Sequence, residues 1–191
     1  MRPTVDLVAE HDAIVRLLRV LDEVAERLEA GVQVVASDLE QALEFVQVFA
    51  DRCHHGKEET LLFPALQVAG VPRESGPIAA MLAEHEQGRA HIRGLAEALP
   101  AYQRGDSRAG AALAEHLKSY SALLAQHIQK ENQALFPMAD RVLSAAQQAE
   151  LAEGFERIEE QVIGPGRHEA FHQLLERLEG TYLGHAHPCE H

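Results

Sequence analysis

The chain has 191 residues, 46% of them hydrophobic, with 5% aromatics and no Trp, which suits one domain whose single core is built from Leu, Ala and Val. A formal charge of −13 argues against nucleic acid or an anionic membrane as partner, because both are bound through an excess of Lys and Arg. No stretch approaches the roughly 18 uninterrupted apolar residues that cross a bilayer, the start MRPTVDLVAEHD carries no apolar leader core, and two cysteines are too few for a disulfide framework, so the expected location is the cytoplasm.

Helical periodicity runs through the chain, and no segment alternates as a strand does. A first helix is expected over about 4–30, with Leu7, His11, Ile14, Leu18 and Leu21 on one stripe and Gly31 at its end. A second begins at Ser37, where Ser-Asp-Leu-Glu has the form of a capping box, and runs to about Val68, with Pro64 expected to kink or shorten its end. After a Gly- and Pro-rich loop at 70–77, a third helix passes through Met81, Leu82, His85, Ile92 and Leu95 to about Ala101. The fourth follows Gly105-Asp106, along Leu113, Leu117, Tyr120, Leu124, His127 and Glu131 toward Leu135 and Pro137. Short connections between long helices favour antiparallel neighbours, so the expectation is an all-α, up-down-up-down four-helix bundle over residues 1–141. Two shorter helices, about 144–161 and 167–182, form a C-terminal extension over 142–183 packed on the bundle, and residues 184–191 are an irregular tail.

The halves of the bundle repeat each other. HHGKEETLLFP at 54–64 aligns with HIQKENQALFP at 127–137 at a constant offset of 73 residues, and Ala-Glu-His at 9–11 matches Ala-Glu-His at 83–85. Each half therefore supplies one His on its first helix and a His-x-x-x-Glu pair on its second. Residues four apart lie on one helix face, so each pair can point at a common spot. His11, His54, Glu58, His85, His127 and Glu131 then converge as a metal site. Four imidazoles and two carboxylates buried in a Leu/Ala interior would be costly without a cation to satisfy them. Carboxylates that bridge two cations, two imidazoles on each, and a bridging oxo or hydroxo group leave a position open for a small molecule. This donor set suits non-haem iron, with manganese or a mixed pair as alternatives.

The constellation of His11, HHGKEETLLFP, AEHE around His85 and HIQKENQALFP resembles the hemerythrin-like cation-binding family over roughly residues 5–140. The resemblance implies two iron ions held by those six residues, with Glu58 and Glu131 as bridges. Oxygen-carrying hemerythrins have a further His one turn along the third helix, where this chain has Arg89, so the pattern is closer to bacterial relatives with four His and two carboxylates. These include the family that repairs damaged iron centres, whose N-terminal cysteine-bearing domain has no counterpart in this sequence.

His55-x-x-x-Glu59 has the same spacing as His54-x-x-x-Glu58, and only one pair can face the core; the repeat selects His54 and Glu58. His116 is read as a hydrogen-bonded His ahead of a contact to the site, Tyr120 as packing, and Cys53 as a small buried residue. His168-Glu169-x-x-His172 matches the zinc-protease motif, but the chain shows no strand to hold a substrate. The tail residues His185, His187, Cys189 and His191 are metal-capable, with disorder the plainer reading. The function expected is a non-haem di-iron protein that binds or reacts with oxygen, nitric oxide or peroxide. An iron-handling or repair role is the alternative. A zinc protease ranks below both, as does a ferritin-like oxidase, which uses Glu-x-x-His rather than His-x-x-x-Glu. Whether the protein is an enzyme, and its oligomeric state, stay open.

Overall fold

The structure, a computed structural model, describes residues 2–184, so expectations for His185, His187, Cys189 and His191 lie outside the described residues. Helix α1 spans Pro3–Glu29. Helix α2 covers 36–68 without a break, as Ala36–Phe45, two stretches of wide i→i+5 turns at Val46–His55 and Glu58–Leu62, and Phe63–Val68. Helix α3 is Gly76–Gln103. Helix α4 covers 107–142, again interrupted by wide turns, at Glu131–Leu135. Helices α5 and α6 are Ala145–Val162 and Arg167–Tyr182.

The prolines explain where two of the wide stretches fall. A proline inside a helix lacks an N–H and its ring collides with the carbonyl four residues back. Pro64 and Pro137 each sit two residues past a wide turn, at Glu58–Leu62 and Glu131–Leu135. The extra residue in the turn accommodates the ring, so α2 continues to Val68 instead of stopping at Pro64. The capping box expected at Ser37 does not form, for α2 starts at Ala36 without a side-chain cap. The capping box that does form is Ser144 with Gln147, at the start of α5.

Helix α1 packs on α4, α4 on α3, α3 on α2 and α2 on α1. Opposite ends meet: Thr4 near the start of α1 donates to Asp140 near the end of α4 at 2.8 Å, and the Tyr102 hydroxyl near the end of α3 donates to the Val34 carbonyl at 2.9 Å. Helix α6 lies along α1, where Arg16 grips Glu179 through two nitrogens at 3.0 and 2.6 Å, and Asp38 of α2 receives both Arg177 and the Tyr182 hydroxyl.

Two apolar clusters fill the interior. The larger includes Ile14, Leu17, Leu21, Phe45, Phe49, Cys53, Leu117, Tyr120 and Leu175; the smaller holds Leu7, Leu62, Phe63, Leu66, Met81, Leu135, Phe136 and Phe155. On each of the four long helices the chain passes from one cluster to the other through a buried polar step: His11, then His54 to Glu58, then His85, then His127 to Glu131. A layer of imidazole and carboxylate therefore crosses an otherwise apolar core.

A candidate metal centre in the buried polar layer

His11, His54, His85, His127, Glu58 and Glu131 are each at most 1% exposed. Glu131 turns one oxygen to His11 Nε2 at 3.1 Å and the other to His127 Nε2 at 3.2 Å. Glu58 does the same with His54 Nε2 at 3.8 Å and His85 Nε2 at 3.4 Å. Each carboxylate thus reaches one imidazole from each half of the chain. Donor atoms of His11, His54, Glu58 and Glu131 lie within 4.8 Å of one another, and so do those of His55, Glu58, His85 and His127.

The second group contains a residue that sequence reasoning set aside. His55 is 3% exposed, and its ring stacks on His85 with centroids 3.9 Å apart. Consecutive residues of a regular helix point about 100° apart, which is why only one of His54 and His55 was expected to face inward. They end a ten-residue run of i→i+5 turns, Val46–His55, whose wider spiral sets consecutive side chains closer in angle. Both imidazoles therefore enter the layer, and five converge rather than four. The second half has Ile128 at the corresponding position, so the two groups differ.

The far nitrogen of each of the four expected imidazoles is tied down. His54 Nδ1 meets Glu10 at 2.8 Å and His127 Nδ1 meets Glu84 at 3.0 Å; His85 Nδ1 meets Glu59 at 2.7 Å and His11 Nδ1 meets Asn132 at 2.9 Å. The duplication accounts for all four. The residue before each first-helix His orients the second-helix His of its own half, and the residue after each Glu orients the first-helix His of the other half. Lys57 and Lys130 then ion-pair with Glu10 and Glu84. Phe136 stacks on His11 and Phe63 on His85, at centroid distances of 5.3 and 5.9 Å. The repeated Glu of Ala-Glu-His, the repeated Lys and the repeated Phe belong to the same duplication, but the sequence expectation covers only His11, His85 and the His and Glu of the two pairs.

Arg89, where the resemblance placed a missing His, closes the outer side. It donates to Asp51 at 2.8 Å and to Glu59 at 2.7 Å, and Asp51 lies 3.5 Å from His55 Nδ1. His116 meets His91 at 3.4 Å, Tyr120 is buried in the larger apolar cluster, and Cys53 is a free thiol whose pKa burial pushes up to about 12. Glu169 of HEAFH is exposed and accepts from Gln173 at 3.0 Å, and there is no strand among the described residues.

The atoms left without a hydrogen-bond partner include Nε2 of His11 and His54, both ring nitrogens of His55, and all four oxygens of Glu58 and Glu131. Buried polar groups are rarely orphaned, and here they face one another. Burial alone would raise the Glu131 pKa, but His11 and His127 hold it well below the usual carboxylate range. Burial would likewise lower His85, but Glu58 and Glu59 carry it up to about 9. His55 moves the other way, kept neutral by its burial and by the charges of His85, His54 and His127. Donor atoms of this kind, oriented from behind and unpartnered in front, fit a metal site.

A family model described as the hemerythrin HHE cation-binding domain matches residues 2–139. Curated proteins of Mycobacterium bovis and of two strains of Mycobacterium tuberculosis, all carrying the name "uncharacterized protein", are 28% identical to this chain over 159 residues. That stretch is 83% of this chain and 62% of each relative, so the chain spans about three-fifths of their length. No solved structure matches it. No helix among the described residues is long and apolar enough to cross a membrane. With a buried His/Glu layer that fits a metal site, the chain belongs to the hemerythrin HHE cation-binding domain family.

Proposed function

We propose that the layer binds two iron ions and presents them to a small molecule such as oxygen, nitric oxide or peroxide. One ion is assigned to His11 and His54, the other to His55, His85 and His127, with Glu58 and Glu131 shared between them. The supporting observation is the set of buried ring nitrogens and carboxylate oxygens that converge on one another, most of them without a hydrogen bond, while the far nitrogens of four imidazoles are held. Imidazole with carboxylate suits iron or manganese better than a structural zinc or calcium site. Iron so held supplies open coordination positions where a small ligand can bind. The protein's own part is to fix the donors: Glu10, Glu59, Glu84 and Asn132 set which nitrogen of each ring points inward. The apolar clusters on either side keep bulk water from the layer.

The same reading takes the four long helices as an antiparallel up-down-up-down bundle over 1–141. Residues 142–183 are the packed extension, and a reducing cytoplasm is the setting in which Cys53 stays free. Iron content and optical spectrum after expression with iron supplied test the proposal. Two irons per chain, with a spectrum that changes on adding azide, nitric oxide or peroxide, are expected. A chain that holds no iron and takes none up is the contrary result. A reversible oxygen band then indicates a carrier, steady peroxide consumption an enzyme, and transfer of iron to an apo-cluster protein the repair role.

A further inference from the structure

Helices α3 and α4 carry a second pair of imidazoles. In the buried layer, His85 Nε2 of α3 and His127 Nε2 of α4 stand 3.1 Å apart. Further along the same two helices, His91 Nδ1 and His116 Nδ1 stand 3.4 Å apart. At a rise of about 1.5 Å per residue, His91 is about 9 Å along α3 from His85 and His116 about 16 Å along α4 from His127, so the second pair is separate from the centre.

The outer pair is held in place by an absent side chain. A Cβ on Gly94 would fall 2.2 Å from His116 Nε2 and 2.4 Å from its Cε1. The Nε2 edge of the ring thus lies against the α3 backbone, which leaves Nδ1 presented to His91. Both rings are half-buried, open to solvent on one side. Facing nitrogens at this distance accommodate only one proton between them. A cation bound at about 2.0–2.1 Å to each nitrogen separates them by about 3.4 Å in a tetrahedral shell.

We propose that His91 and His116 form an outer site for one first-row divalent cation of the imidazole-preferring kind, zinc, nickel or copper, with water completing the shell. The site stands on its own geometry and does not depend on the reading of the centre. Burial and the neighbouring His116 lower the His91 pKa, which keeps its ring neutral and able to ligate at pH 7. The carboxylate of Glu115, beside His116 in sequence and close enough to act on His91, favours a cation there.

Nickel titration by calorimetry, on the full chain and on His91→Ala, His116→Ala and Gly94→Ala, tests the proposal. Any other His or Cys that takes up nickel contributes equally to all four proteins. Wild type is expected to take up one more equivalent than His91→Ala or His116→Ala. Gly94→Ala keeps both imidazoles but displaces one, and is expected to bind the outer equivalent at least tenfold more weakly. Iron content stays the same in all four, which separates this site from the centre. If His116→Ala disturbs folding, His91→Ala decides alone, since its ring is only half-buried and no Cβ-sized gap is packed against it. Equal nickel stoichiometry and affinity in wild type and His91→Ala would overturn the assignment.

Discussion

Glu10 accepts a hydrogen bond from His54 Nδ1 at 2.8 Å, and in the other half of the chain Glu84 accepts one from His127 at 3.0 Å. A carboxylate behind a metal-binding imidazole fixes its tautomer and strengthens it as a donor, and losing such a partner typically costs about 10–100-fold in metal affinity. Glu10→Gln and Glu84→Gln are each expected to weaken iron binding by about that range. Competition with a chelator measures it, and unchanged affinity in both would remove these carboxylates from the account.

The two lysines behind those carboxylates are equivalent in sequence but not in place. Lys57 is 1% exposed, paired with Glu10 and, across from α5, with Glu159 at 3.1 Å, whereas the Lys130 side chain is 49% exposed. Removing one partner of a buried pair strands the other charge and costs about 3–5 kcal/mol; an exposed pair is worth up to about 1 kcal/mol. Lys57→Met is therefore expected to lower unfolding stability by about 3 kcal/mol and Lys130→Met by less than about 1 kcal/mol, as read from denaturant midpoints. Equal effects would show that α5 does not bury this ion pair.

His55 is the residue that separates the two groups of donors. His55→Ala is expected to lower the iron count from two toward one, because the ion assigned to His85 and His127 loses its third imidazole. A count and a chelator resistance equal to wild type would take His55 out of the ligand set.

Proton competition gives the centre a pH signature. In the metal-free protein burial pulls the His85 pKa down, but Glu58 and Glu59 carry it up to about 9, above the 6.5 of a free imidazole. The stability it contributes is fully present below about pH 6.5 and is lost as pH rises through about 9. Apoprotein is thus expected to melt at lower temperature at pH 9.5 than at pH 6.5, while its affinity for iron rises over the same interval because fewer protons must leave. Thermal melts and chelator titrations at the two pH values check both signs.

Most of the helices could be read from periodicity, and the six repeated ligand candidates from the duplication, at an offset of 73 residues for the His-x-x-x-Glu pairs and 74 for His11 and His85, because duplication marks paired positions wherever they fold. His55 was not legible. Its inward direction depends on the i→i+5 turns of Val46–His55, whereas helical periodicity assumes the i→i+4 turns of a regular helix. The capping box expected at Ser37 failed for a similar reason, since Ser144 and Ser37 show the same local pattern and only the tertiary start of α2 at Ala36 distinguishes them. The hold of Glu159 on Lys57 joins residues 102 apart in a part of the chain that has no repeat to flag it.

In the proposed function side chains from both halves share two cations in one layer, where His127 touches both Glu131 and His85. Metal analysis with an optical spectrum, on wild type and His127→Ala side by side, tests this directly. Two irons in wild type and near-stoichiometric loss of the two-metal signature in the variant are predicted. A folded His127→Ala protein that keeps both irons and the same spectrum would contradict it.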